Sequence, residues 1–469
     1  MASAEPKGTG MPADTIVSPP FETAPTKKSG KDDPVPEVAV HPPPSFANDD
    51  GVEINYRSLT WRQAGMVMIA ETVSLGILSL PAVIANLGLA PGIVLIFVMG
   101  VLSTYSGYVL GEFRRQYPWV QSFGDAGEVL GRPFGMGRFC QEFLGWAQTI
   151  FVIFVMASHM LTWTICLNTL TDSSTCTIVW AFVGLAVFWV LNLPRTLKYA
   201  SYMSIFSFLS IFTAVLVTMI DVGIERPIGS TSIEISRHVG FTSAFLSVTN
   251  IAVAFSGHSC FFSIISEFKE PRDWPKALAM LQICDTTIYM VASVVIYVYV
   301  GPDVPAPALT AADSLKVRKA IWGIAIPTIV IAGVIYGHVA AKYIFVRVFG
   351  GTKHVVKQTL LGTVGWVGIT IVVWVISLVI AESIPVFSSL LGLVCALFAS
   401  WFSYGLPGIF WMFMNRGEWF KDGKMMAKFG ANVVLILTGL LLCVLGLWSS
   451  ATAINSEAAT SAWSCRSNA

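Results

Sequence analysis

Glu71 sits inside the apolar stretch WRQAGMVMIAETVSLGILSLPAVIANLG, residues 61–88, with Ser74, Gly76 and Pro81 close behind it. Glycine and proline in such a stretch interrupt the helical ladder and free backbone N–H and C=O groups that need other partners. An ionised carboxylate at mid-depth in hydrocarbon costs at least about 2.5 kcal/mol. A packing kink with the carboxylate hydrogen-bonded to a neighbouring helix would account for the pattern. A discontinuous helix whose unwound backbone binds a solute accounts for more of it, because a buried carboxyl group can take up and release a proton reversibly. Glu71 is accordingly the expected proton carrier. A second stretch, residues 241–268, carries the same kind of interruption at Phe255-Ser256-Gly257-His258-Ser259. His258 is placed to contact a solute or relay a proton, and a structural bond to a freed carbonyl competes with that role.

Two interrupted segments at matching positions point to a binding site between them. Ser74, Gly76, Phe255, Ser256, Gly257 and His258 are its expected substrate-binding residues. A half-helix N-terminus, with its free N–H groups and about +0.5 charge, suits a carboxylate. Freed carbonyls and a half-helix C-terminus suit an ammonium group or a small cation. An amino acid zwitterion offers both groups at once. The secondary candidates are His159, Asp285, His338 and Tyr336. A lone helical histidine usually packs, so His159 is weighed against that role. His338 would matter if it paired with Glu71, while Lys342 one turn on snorkels to the interface. Asp285 is read first as a hydrogen-bonded helix contact. Phe255 and Tyr336 would give a pocket apolar walls. No C-x-x-C pair, metal-ligand spacing or phosphate-binding glycine loop occurs, so the expectation is no metal and no cofactor, with the proton gradient as the driving force.

These residues need a scaffold, and the composition says which. Of 469 residues, 54% are hydrophobic and 12% charged, and mean hydropathy is +0.68. Soluble domains carry about 25% charged residues, so a soluble enzyme is excluded, and a net charge of +1 gives no reason to expect nucleic acid. Residues 1–60 hold 14 of the 57 charged side chains and 10 of the 24 prolines. They read as a disordered cytoplasmic tail in which Lys27, Lys28 and Lys31 would be open to ubiquitin-type modification. Eleven stretches are apolar enough to cross a bilayer: 61–88, 91–113, 139–169, 178–194, 199–221, 241–268, 277–300, 320–347, 359–381, 384–413 and 429–452. The expected architecture is an all-α polytopic membrane protein with a transporter domain over 61–452. It divides into five spans (61–221), five inverted spans (241–413) and one accessory helix (429–452), with spans one and six broken.

Alternate loops hold 17 Lys and Arg against 6 in the opposite set, which orients the N-terminus to the cytoplasm and the tail 453–469 outside. Residues 125–130, in a loop too polar to cross, are expected as a short helix on the cytoplasmic face. Cys176 and Cys465 then both face an oxidising exterior and are expected to form a disulfide. Cys140, Cys166, Cys260, Cys284, Cys395 and Cys443 read as packing residues.

Two segments resemble signatures of the amino acid/auxin permease family, also called amino acid/polyamine transporter 2. The first is Ser74-Leu75-Gly76-Ile77-Leu78-Ser79-Leu80-Pro81 with Gly88. The second is Ala254-Phe255-Ser256-Gly257-His258 followed by Ile265, Glu267, Pro271, Lys276 and Ala277. GPDVPAPAL (301–309) and AESIPVFSSLLGLVCAL (381–397) are similar to the fungal neutral amino acid permeases of the methyltryptophan-resistance type. The resemblance runs over roughly residues 55–450 and implies a LeuT-like fold, eleven helices and proton-driven symport of neutral amino acids by a monomer, in the plasma membrane. Gly257 and His258 depart from the bulkier residues of fungal members. Alternatives are carriage of an amino-acid-derived or cyclic imino acid metabolite in a specialised pathway, a vacuolar location, or a non-transporting sensor.

Overall fold

Thr60 starts the first helix. Its hydroxyl accepts from Gln63 N, and the Gln63 side chain accepts from Thr60 N in return, closing the first turn of α1 (Trp61–Thr72). The computed structural model describes residues 59–195, 200–225, 233–350, 352–357, 359–457 and 462–468. Nearly all of the expected tail, with Lys27, Lys28 and Lys31, lies outside the described residues.

After Thr72 the chain leaves the α-helix, makes a 3-10 turn at Gly76–Leu78 and resumes as α2 (Leu80–Leu87). The two halves bend by 42°. Pro81 lies in the first turn of α2, where its missing N–H has no helical partner to lose. The remaining helices are α3 (Leu89–Gln116), α4 (Phe123–Gly131), α5 (Gly137–Leu170), α6 (Thr177–Leu191), α7 (Ala200–Glu225), α8 (Phe241–Ala254), α9 (Phe261–Ser266) and α10 (Trp274–Val300). They continue as α11 (Leu315–Phe349), α12 (Lys353–Val356), α13 (Leu360–Ser383), α14 (Phe387–Val394), α15 (Leu406–Met414) and α16 (Gly423–Glu457). A 3-10 turn, Gly257–Cys260, joins α8 to α9, and a π-helical segment, Cys395–Gly405, joins α14 to α15.

Nine spans among the described residues are long and apolar enough to cross a bilayer, and the bent α1–α2 pair makes ten. The 15-residue α6 occupies the expected stretch 178–194; it rises about 22 Å, short of the ~30 Å hydrocarbon core. Helix ends overrun the apolar stretches. α16 starts at Gly423, not 429, because hydropathy stops at the hydrocarbon edge while backbone hydrogen bonding continues beyond it. The polar loop after α3 does contain a helix. In α4, Ser122 accepts from Asp125 N, and the Asp125 carboxylate accepts from Ser122 N and Gln121 N.

The bundle is apolar outside and polar within. Val94, Phe97, Phe143, Phe182, Val364 and Val444 are exposed, whereas Ser103, Ser106, Thr162, Thr164, Asn250 and Ser400 are buried. That is the distribution of a protein whose solvent is lipid, and it identifies a multi-pass membrane protein. Antiparallel α5 and α11 are pinned at both ends: Arg347 pairs with Glu142 at 2.8 Å, and Lys319 pairs with Asp172 at 2.6 Å. Such half-exposed pairs are worth at most about 1 kcal/mol each, so they fix register more than they stabilise. At the α1 end, Leu59 N donates to Glu267 O (3.0 Å) and Lys269 N to Leu59 O (2.9 Å), fastening the start of span one to the end of span six.

Candidate functional site

The two helix breaks face each other across the centre of the bundle, and glycine allows it. A Cβ on Gly76 would lie 2.6 Å from Ala254 Cα, the last residue of α8. A Cβ on Gly257 would lie 2.6 Å from Thr72 Oγ1, the last residue of α1. Each break thus needs a glycine against the end of the other's first half.

The freed carbonyls have partners. Tyr289 on α10 directs its hydroxyl to Thr72 O and Ala254 O, both at 2.9 Å, so one side chain bridges the two breaks. Ser103 Oγ donates to Phe255 O at 3.1 Å, and Gln148 Nε2 donates to Ser259 O at 2.8 Å. Ser79 Oγ donates to Gly76 O at 2.9 Å. The expectation that these carbonyls stand free for an ammonium group is therefore corrected at Thr72, Ala254, Phe255 and Gly76: helix-breaking residues freed them, and neighbouring hydroxyls took them up.

Between the breaks lies a cavity of about 60 Å³. That is above the ~10–15 Å³ needed to admit one water, and the cavity must widen to admit a larger solute. Glu71, Thr72, Leu75 and Gly76 line it from span one, and Val253, Ser256, Gly257 and Ser259 from span six. Phe151, Val152, Val155 and Ser158 of α5, Tyr336 of α11, and Leu391 and Val394 of α14 complete the wall. One part is apolar, and the other presents a carboxyl group and hydroxyls. The Glu71 carboxyl interacts with the Tyr336 hydroxyl and the Cys260 thiol.

The residues expected at the site divide accordingly. Glu71, Gly76, Ser256, Gly257 and Tyr336 line the cavity; Ser74, Phe255, His258, His159, His338 and Asp285 do not. Ser74 is buried, and its hydroxyl has no partner. Phe255 turns away and packs edge-on against Tyr289, centroids 5.1 Å apart. His258 is fully buried, with Nε2 3.0 Å from Ser103 O and 2.8 Å from Ser106 Oγ. A carbonyl can only accept, so Nε2 carries the proton and Nδ1 is left without a partner. It fastens the second break to α3 and does not line the cavity.

His159 Nδ1 donates to Ile329 O at 3.0 Å, with its ring 5.9 Å from that of Tyr336, behind the cavity wall. His338 does not pair with Glu71; its ring lies 5.2 Å from Trp366 on α13. Residues two positions apart on a helix are about 200° apart around the axis, so Tyr336 faces the cavity and His338 faces away from it. Asp285 is buried without a hydrogen-bond partner on either oxygen, which corrects the reading of it as a hydrogen-bonded contact. Cys260, read as a packing residue, reaches Glu71 instead. Tyr289, Ser158 and the α5 and α14 residues drew no attention in the sequence, because nothing marks one face of a fully apolar helix. At one end of the bundle, Cys176 and Cys465 are joined in a disulfide with Cα atoms 4.3 Å apart.

A lipid-facing helical bundle with discontinuous first and sixth spans closing on a small amphipathic cavity defines a membrane transporter. Residues 57–452 match the family of transmembrane amino acid transporter proteins, and the chain belongs to it: it is an amino acid transporter. It is 31% identical over 404 residues to the N amino acid transport system protein of Neurospora crassa, covering 84% of this chain and 85% of that one. It is 27% identical over 435 residues to a transmembrane transporter of Gibberella moniliformis, covering 90% of each. Among solved structures it is similar to Mhp1, a nucleobase-cation-symport-1 family transporter, in a closed conformation. That likeness has TM-score 0.51 and 16% identity over 89% of this chain and 96% of that one. It is likewise similar to inward-facing Mhp1, with TM-score 0.51 and 13% identity over 87% and 95%. The fold is LeuT-like, and the family and relatives are transporters rather than enzymes.

Proposed function

We propose that this protein takes up neutral amino acids with aliphatic or aromatic side chains together with a proton, across a fungal plasma membrane. Glu71 is the proton carrier in this reading. The observation that carries it is the position of Glu71 in the cavity wall, between both breaks and against the Tyr336 hydroxyl. Asp285, a second acid buried within a span, stands outside the cavity. A proton on Glu71 removes a charge that would otherwise be carried through the low-dielectric interior when the cavity closes. Phe151, Val152, Val155, Leu391 and Val394 support an apolar side chain. Both ends of a zwitterion find partners among Glu71, Ser158, Ser256, Ser259, Tyr336 and the backbone of the breaks.

The cycle is alternating access between the repeats 61–221 and 241–413, with 429–452 accessory. Proton and substrate drive it only through their different affinities for the outward- and inward-open states. The N-terminus is cytoplasmic and the C-terminus extracellular. The Neurospora crassa relative, named an amino acid transport system protein, supports amino acids as the substrate. The test is radiolabelled uptake in a permease-deficient yeast strain with and without an inward pH gradient, competed by a panel of amino acids. Accumulation that collapses with the gradient and is competed by leucine or phenylalanine is expected. Uptake indifferent to the gradient, or competed only by charged amino acids, contradicts the proposal.

A further inference from the structure

A second cavity, about 310 Å³, lies toward the end of the bundle that holds the disulfide, lined by Ile165, Thr177, Glu382, Phe387, Arg466 and Asn468 among others. Ile165 is seven residues beyond Ser158 on α5, a rise of about 10 Å, and Phe387 precedes Leu391 on α14 by about 6 Å. Ser158 and Leu391 both line the transport cavity. The second cavity therefore sits over the first along the same two helices, on the way out of the bundle.

The C-terminal segment 462–468 builds one wall of this chamber, and it is fastened on three sides. Thr177 Oγ1 donates to Arg466 O at 2.7 Å, at the start of α6. Asn468 Oδ1 accepts from Asn168 Nδ2, and Asn468 Nδ2 donates to Thr164 Oγ1, both at 2.8 Å, along the end of α5. Trp463 donates from its backbone N to Glu382 O and from Nε1 to Ser383 Oγ, both at 3.3 Å, at the end of α13. These contacts are single hydrogen bonds, each worth about 0.5–1.5 kcal/mol net; the Trp463–Ser383 bond is exposed, whereas those to Thr164, Asn168 and Thr177 are part-buried. The covalent fastener is Cys176–Cys465.

We propose that residues 462–468 are the outer wall of an entrance vestibule above the transport cavity, and that the Cys176–Cys465 bridge keeps this wall closed, so that its reduction widens access from outside. The inference rests on the proposed orientation with the C-terminus outside. Reduction by an external phosphine or dithiol converts the bridge to two thiols at the expense of the reductant, which leaves oxidised. The wall then has only its hydrogen bonds.

Cys260 is a native reporter of access, because it follows Ser259 of the cavity wall and its thiol interacts with Glu71, which lines the cavity. Intact cells expressing the full chain are exposed to a membrane-impermeant methanethiosulfonate, and labelling of Cys260 is followed by peptide mass spectrometry. The Cys176→Ser/Cys465→Ser double variant is expected to label at least fivefold faster than the unmodified chain. The unmodified chain pretreated with an impermeant phosphine is expected to match it, which covers the case of a variant that fails to reach the surface. Equal rates with and without the bridge overturn the proposal. An epitope placed after Ala469 and stained without permeabilisation tests the orientation separately. Absence of stain refutes the orientation and with it an outer wall, whereas staining with equal labelling rates refutes the wall alone.

Discussion

Tyr289→Phe removes one hydroxyl from the only side chain that hydrogen-bonds both Thr72 O and Ala254 O among the described residues. A phenol has a single proton to donate, so the two 2.9 Å contacts share it, and the loss counts about once rather than twice. Interhelical hydrogen bonds in membrane proteins average about 0.6 kcal/mol and reach about 1.7. A range of 0.6–1.7 kcal/mol corresponds to roughly three- to twentyfold in an equilibrium constant, at about 1.4 kcal/mol per tenfold. Both carbonyls end the helix halves that frame the cavity, so the cost falls on the substrate-binding geometry. The variant should therefore raise KM for uptake by about three- to twentyfold, besides lowering thermal stability. The comparator is Tyr297→Phe, eight residues further along α10: the Tyr297 hydroxyl accepts from Glu234 N at 2.9 Å and donates to Glu234 O at 3.2 Å, away from the cavity. That variant should lower stability with no change in KM. The assay is concentration-dependent radiolabelled uptake corrected for surface protein, with melting of the purified variants. If Tyr289→Phe and Tyr297→Phe give the same KM, the claim that Tyr289 sets the geometry of the breaks is wrong.

Gly257→Ala forces a methyl group onto Thr72 Oγ1, an overpacking worth about 1–3 kcal/mol; uptake should fall by tenfold or more, and adding Thr72→Ala should restore most of it. A double variant no better than Gly257→Ala alone contradicts that packing. Gly76→Ala meets Ala254 Cα, which no side-chain change can move, so Gly76→Ala should resist rescue by Ala254→Gly in the same uptake assay. His258→Leu removes the donor to Ser103 O and should lower stability by about 1 kcal/mol while leaving the pH profile of uptake where it was, because His258 does not line the cavity. A displaced pH optimum would assign His258 the proton role denied to it here.

The breaks were legible in the sequence because glycine, proline, a carboxylate and a histidine are conspicuous among apolar residues. Glu71 and the glycines at 76 and 257 emerged for that reason, and the structure places all three at the cavity. Direction was not legible. Phe255 and His258 belong to the second break yet point into packing, and Tyr336 and His338 are two residues apart yet serve opposite helix faces. Tyr289 and Cys260 were passed over for a different reason: an aromatic ring and a thiol look like ordinary core in a lipid-embedded helix. Their roles follow from what the neighbouring helices bring to them, a pair of orphaned carbonyls in one case and a carboxyl group in the other.

The measurement that bears most directly on the proposed mechanism is made on Glu71→Gln reconstituted in liposomes. Glutamine keeps the shape and hydrogen-bonding capacity of a protonated glutamate but cannot release the proton. The variant should still exchange internal for external labelled substrate at equal pH on both sides, and should no longer concentrate substrate when an inward pH gradient is imposed. Gradient-driven accumulation by Glu71→Gln at the level of the unmodified protein would contradict the account.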